Sequence, residues 1–410
     1  MINLNEFSFN GQITNRNNVT SQLKLPENVS DFELIQSAYL KWQLALNLYL
    51  AGDYVIVLPL EKNQQVFLCL SAFSSHQLFY KNDATTLSIS KTLSDFSHQA
   101  KVDPFAVSQL LHWRNICSPN TLFKDVFALN NGQSAIWQHE SNPELISQKQ
   151  LTLSQKLNAA QSETPEHKVG NITNNELSFF NIFNQLPQLS QLMTQPVSAL
   201  WQIEFLLLVQ ISHDHQLICD HKPQLELVQN KSKNSFNHNI FRRRLNTQNS
   251  PLTKLKKYLF KQYKLEIASG AFESTPNFEV WMYLTFELPN KWAQQRLIAQ
   301  TYNKDIQFNY CDSNKLKQLL IEQSNPTKTT QPHSQFFSFN DESIVNIFDA
   351  MQRLMHHGFD PVTNKLFHIV PPISAKLLKK HNKNPTQVEE FCCLSLTLDH
   401  LARHANWSVD

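Results

Sequence analysis

The chain has 410 residues, enough for two domains and a sizeable core, with 41% hydrophobic and 17% charged residues. A net charge of +2 gives no broad attraction to nucleic acid or to an anionic membrane, and neither is expected as a partner. The chain holds only six glycines, where average usage of roughly 7% would give about five times as many. Gly11, Gly52, Gly132, Gly170, Gly270 and Gly358 lie scattered, so no cluster can form a loop that presses backbone amides against phosphate.

In chain order, Glu6 to Ile13 alternates and predicts a strand. Ser30 and Glu33 form a capping box, opening a helix with Leu34, Ile35, Ala38, Tyr39 and Trp42 on one face. Tyr54–Leu58 and Val66–Leu70 read as a hairpin, as do the shorter runs Gln77–Tyr80 and Thr86–Ser90. Asp103-Pro104 starts a second helix. Thr121–Ala128 and Gln133–Trp137 flank an Asn130-Asn131-Gly132 turn. From about His139 to Asn171 the chain turns polar, which places a domain boundary between residues 145 and 146. The second part has a mostly helical pattern, interrupted by polar loops at Asn230–Ser250 and Gln323–Gln335. Its most apolar stretch, Ala199–Ile211, contains Gln202, Glu204 and Gln210 and is too short and polar to span a bilayer. The six cysteines lack metal or redox spacing, and Met1-Ile2-Asn3 opens no signal segment; reduced thiols in a cytoplasmic protein are expected.

The run Phe9-Asn10-Gly11-Gln12-Ile13-Thr14-Asn15 is similar to the Asn-Gly strand of asparagine synthetase-like proteins. Ser30-Asp31-x-Glu33, Tyr39-x-x-Trp42, Leu50-Ala51-Gly52-Asp53-Tyr54, Leu78-Phe79-Tyr80, Val102-Asp103-Pro104 and Thr121-Leu122-Phe123 follow in that family's order. The resemblance implies an α+β class II glutamine amidotransferase domain over residues 1–145. This is an Ntn-type α-β-β-α sandwich, here lacking the family's opening strands. It further implies, over residues 146–410, an α/β adenine-nucleotide α-hydrolase-like domain, mostly helical and degenerate.

Members of that family that hydrolyse glutamine use an N-terminal cysteine; with Met1-Ile2-Asn3 at the start, no such nucleophile is expected here. Asn10, Gly11 and Asp31 match the positions that hold the substrate's backbone and form a residual glutamine pocket. The family's phosphate loop corresponds to Thr173-Asn174-Asn175-Glu176-Leu177-Ser178, with Asn in place of both glycines. Its second nucleotide loop corresponds to Asp220-His221-Lys222-Pro223, where Pro223 removes an amide donor. Trp281 to Pro289, Arg296 and Phe308–Asp312 resemble the family's later helical region. The expectation is a pseudoenzyme without cofactors, acting as an accessory or binding protein for a protein or peptide partner in peptide or natural-product biosynthesis, and able to self-associate. The alternative is an ATP- and Mg²⁺-dependent amide ligase or macrolactam cyclase.

Three further groups stand out. His213, His215, Cys219 and His221 can be read as a zinc site or as a polar turn feeding a strand. His400 and His404, like His356-His357, read as helix-end residues. Arg242-Arg243-Arg244 with Lys254, Lys256, Lys257, Lys261 and Lys264 forms a basic patch, either a solvated helix face or a dock for an acidic partner.

Overall fold

The computed structural model describes residues 1–160, 188–196, 200–212, 215–219 and 251–324, apart from residues 61–63, 84, 99, 139–142, 194, 271, 273 and 274. The chain opens with β1 (Ser8–Ile13), α1 (Arg16–Leu23) and α2 (Asp31–Trp42). In the expected capping box, the Glu33 amide donates to Ser30 Oγ (3.3 Å) and the Ser30 amide to the Glu33 carboxylate (3.2 Å). The two predicted hairpins follow as β2 (Gly52–Leu60) with β3 (Gln65–Leu70), and β4 (Phe79–Asn82) with β5 (Leu87–Ser90). In α3 (Pro104–Trp113), Pro104 occupies the first turn, where no amide partner is lost, and Asp103 accepts from the Phe105 amide at 2.9 Å.

The strands β6 (Val126–Ala128), β7 (Gln133–Gln138) and β8 (Glu144–Gln150) complete two open antiparallel sheets, ordered β1-β2-β3-β7-β8 and β5-β4-β6. The Asn130–Gly132 turn therefore does not fold β6 back onto β7. It carries the chain from one sheet to the other, with the Gly132 amide donating to Ser71 O (2.8 Å). The two segments β8 and α4 (Leu153–Leu157) lie where the polar composition suggested a linker. The boundary expected at 145/146 falls inside β8, whose exposed and half-buried residues alternate along a sheet edge.

Side-chain alternation separates the layers. Tyr54, Ile56 and Leu58 of β2, with Phe67 and Cys69 of β3, pack under Leu34, Ile35 and Ala38 of α2. Val55, Val57, Val66, Leu68 and Leu70 point the other way, toward Leu78, Leu87 and Ile89 of the second sheet. Helices therefore cover one face of the first sheet, and a second sheet lies against the other.

The remaining elements are mostly helical: α5 (Leu200–Ile211), β9 (Gln216–Cys219), α6 (Pro251–Ala268), α7 (Phe278–Met282), α8 (Leu288–Thr301), β10 (Asp305–Phe308) and α9 (Ser313–Ser324). A π-helical turn, Tyr283–Glu287, joins α7 to α8. Pro289 follows it, and its missing amide relaxes the regular ladder there. The strands β9 and β10 pair in parallel. Among the described residues no helix is long and apolar enough to cross a membrane. The helical region shares its core with the first: Phe73, Cys117, Leu153 and Leu157 pack with Leu259, Trp281, Leu284 and Leu319.

One buried polar group pins the first sheet. Asn47, 1% exposed, donates to Leu70 O (2.9 Å) and Ser134 Oγ (3.3 Å), and accepts from Tyr54 Oη (3.0 Å) and the Cys69 thiol (3.0 Å). Asn47→Ala would remove four buried hydrogen bonds at once, leaving Tyr54 Oη only the Leu50 carbonyl (3.3 Å) and Leu70 O the Gly132 amide (3.1 Å). It is expected to cost about 2–4 kcal/mol in urea unfolding, whereas Tyr54→Phe, which removes one donor cleanly, costs about 1 kcal/mol.

Candidate functional site

The approach of β1 to β2 creates the site. Gly11 and Gly52 both have positive φ, +117° and +137°. A Cβ on Gly11 would lie 2.0 Å from Asp53 O, and one on Gly52 2.0 Å from Gln12 O. The two backbones touch where any side chain would collide, and only glycine permits it. Asp53 follows directly and projects toward the loop after β3.

Four residues then close around its carboxylate. Oδ1 accepts from the Ser75 amide (2.9 Å) and from Ser74 Oγ (3.2 Å). Oδ2 accepts from Ser75 Oγ and from Arg296 Nη2 (2.9 Å), and Arg296 Nε donates to Ser75 Oγ (2.6 Å). Arg296 comes from α8, so the network joins the first sheet to the helical region. Phe308 of β10 supports the guanidinium, its ring centroid 5.7 Å from Cζ. His76 Nε2 lies 3.9 Å from Asp53 Oδ1 and has no hydrogen-bond partner among the described residues.

Burial works against ionisation of Asp53, but His76, the Arg296 guanidinium and the Ser75 hydrogen bonds outweigh it and hold the carboxyl below its ordinary range. Burial also dominates at His76, where it overrides the attraction of Asp53 and lowers the imidazole to about 4. His76 is therefore neutral near pH 7, leaving Arg296 as the cation that pairs with Asp53. Ser75 and His76 share no hydrogen bond of the kind a nucleophile and base require. The Ser75 hydroxyl gives its proton to Asp53 and accepts from Arg296.

Beside this network opens a cleft of about 530 Å³. Asn10, Gly11, Gly52 and Asp53 form one wall, and Arg296, Asp305, Phe308, Cys311, Asp312 and Lys315 belong to the other. Burial, with the nearby Asp53 charge, pushes the Cys311 thiol well above its usual range. Asp312 Oδ1 accepts from the Asn314 amide (2.7 Å) and the Lys315 amide (3.4 Å). A helix following a parallel strand is where such a sheet offers amides to phosphate. At α9 a carboxylate already occupies those amides, so this corner does not fit a nucleotide phosphate.

The residues expected from sequence are dispersed. Asn10 and Gly11 line the cleft. Asp31 sits apart in the first turn of α2, ion-paired with Arg16. Thr173, Asn174, Asn175, Ser178, Asp220, His221 and His213 lie outside the described residues, as do Arg242–Arg244, His356-His357, His400 and His404. Of the suggested zinc ligands, Cys219 ends β9 and His215 precedes it, its carbonyl accepting from the Asp305 amide (2.9 Å). Among the described residues no group of three or more His, Cys, Asp or Glu could hold a metal ion. The polar run Ser74-Ser75-His76 between two apolar strands was the available hint to the Asp53 network.

Residues 4–148 match the family model of a glutamine amidotransferase domain. The N-terminal region is thus glutamine-amidotransferase-like. No curated protein matches the chain.

Two outcomes follow for the network. Arg296→Met leaves Asp53 as a part-buried charge without its cation and should cost about 2 kcal/mol in chemical denaturation; Arg296→Met with Asp53→Asn recovers much of that loss. His76 has its folded pKa, about 4, below the unfolded value of 6.5. Its contribution is therefore complete above pH 6.5 and is lost as pH falls toward 4. Unfolding free energies measured across that window should fall with decreasing pH, and His76→Gln should flatten the slope.

Proposed function

We propose that the chain is a catalytically degenerate relative of asparagine synthetase-like proteins. It works by binding, as an accessory to a protein or peptide partner in amide-bond-forming biosynthesis. The observation that carries this reading is the closed Asp53–Ser75–Arg296 network: the groups best placed to act as base or nucleophile at the cleft already satisfy one another. The thiols agree with it. Cys69 and Cys117 are pushed up to about 12 by burial, which leaves a thiolate fraction of roughly 10⁻⁵ at pH 7. Glutamine hydrolysis in this fold runs through a thiolate. Asn10 and Gly11, at the positions matching the family's substrate-backbone contacts, remain on the cleft wall as binding groups.

The competing reading, an ATP-dependent amide ligase or macrolactam cyclase, draws support from the parallel pair β9–β10. Its nucleotide contacts would fall on the Thr173–Ser178 and Asp220–Pro223 segments, whose glycine-free sequences offer few amides to phosphate.

The test is turnover by the purified full chain. Glutamate release from glutamine, and ATP–pyrophosphate exchange with amino-acid and peptide carboxylates, should both stay at the level of the protein-free blank. Glutamate release abolished by Cys311→Ala, or exchange that saturates with ATP, would overturn the proposal.

A further inference from the structure

The helix α6, Pro251–Ala268, carries a surface that the cleft chemistry does not use. Its inward side is set by Leu255, Leu259 and Tyr263, which pack on the helical core. Glu266 locks the rotation: its carboxylate accepts from the Ser154 amide (2.7 Å) and from Trp281 Nε1 (2.8 Å). With that side fixed, Lys254, Lys257, Lys261 and Lys264 fall at i, i+3, i+7 and i+10, one line along the solvent face. All four are exposed, and none forms an ion pair with a described residue. Tyr258 and Leu265 stand beside the line, 58% and 57% exposed. The helix's single acid is Glu266, turned inward.

Like charges at helical spacing repel, so the ridge carries a local electrostatic cost and lacks a counter-charge on its own helix. We propose that it docks an acidic helical segment of a partner protein, with carboxylates paired to the four lysines and an apolar side chain covering Tyr258 and Leu265. The lysines are separated by three and four residues, so their Cα atoms rise by about 4.5 and 6 Å along the axis. Carboxylates at the same intervals on a second helix meet every one of them. An anionic membrane fits less well, because interfacial helices insert a free apolar face. In α6 that face is committed to the core, Phe260 is packed against Tyr263 and Phe278 and lies under Lys264, and Tyr258 and Leu265 alone do not form one. This docking surface is independent of whether the cleft is catalytically silent.

The probe is a fluorescein-labelled helical peptide of about 18 residues with Glu at i, i+3, i+7 and i+10 and Leu beside them. Its control is an isomer of the same composition with Glu spread around the helix. Fluorescence anisotropy with the full-length protein should give about tenfold tighter binding for the patterned peptide. That affinity should weaken between about 50 and about 300 mM NaCl. Replacing Lys254, Lys257, Lys261 and Lys264 together by Glu should abolish the binding. The corresponding Gln variant, which keeps the helix without reversed charge, should weaken it by about tenfold or more. Equal affinity for the two isomers, or binding indifferent to the Gln variant, would overturn the proposal. So would association with phosphatidylserine vesicles in the absence of peptide binding.

Discussion

One part-buried ion pair, Asp53 with Arg296, ties the first sheet to the helices. Asp53 enters the interior on β2, and a carboxylate there is costly unless it is paired and hydrogen-bonded. The loop after β3 supplies two hydroxyls and an amide; the guanidinium comes from α8. Within the helical region Arg296 has a second, longer contact to the exposed Asp305 of β10 (3.9 Å), but Asp53 finds its Arg cation only across the boundary. The pairing fixes β2 against α8, and therefore sets the width of the cleft between the β1–β2 strands and the β10–α9 corner. Gly11 and Gly52 are part of this constraint, since their contact across the ladder aims Asp53.

The same economy of partners shapes the chemistry. A reacting carboxylate, hydroxyl or thiol needs a free lone pair or a poised proton at the cleft. Here Asp53, Ser75 and Asp312 give theirs to neighbouring protein groups, and Cys311 keeps its proton. What the cleft leaves open is a polar wall suited to recognition. The exposed lysine ridge of α6 differs in character: its groups are solvated and face outward. At the cleft Asp53 and Asp312 are engaged by the fold and Asp305 stays exposed, whereas the lysine ridge has no acid on its own helix to pair with.

Local features of the fold were legible in the sequence because their causes are local. Alternation located β1, β-rich runs separated by short polar turns located β2 to β5, the Ser30–Glu33 box located α2, and Asp103-Pro104 located α3. The Asn130–Gly132 turn misled because a tight turn says where the chain reverses but not which sheet receives it. Both β6 and β7 have the composition of strands, and their partners, β4 and β3, are chosen by burial on opposite faces. The polar residues of β8 concealed a strand because an edge strand with one solvated face needs few apolar positions. The site was the least legible part. Asp53 and Arg296 are 243 residues apart, and nothing beside either one names the other. Asn10 and Gly11 were identified from the resemblance and do border the cleft, while Asp31 is held by Arg16 at a different place.

The core shared by the two regions bears on how this protein can be divided. Phe73 and Cys117 of the sheet region, with Leu153 and Leu157 of α4, are buried by residues more than a hundred positions downstream. A fragment ending near residue 145 would sever β8 and leave Phe73 and Cys117 bare to water, together with the sheet edge that β8 covers. Such a piece would be an adhesive fragment, not an autonomous module. In this structure the two regions share one core.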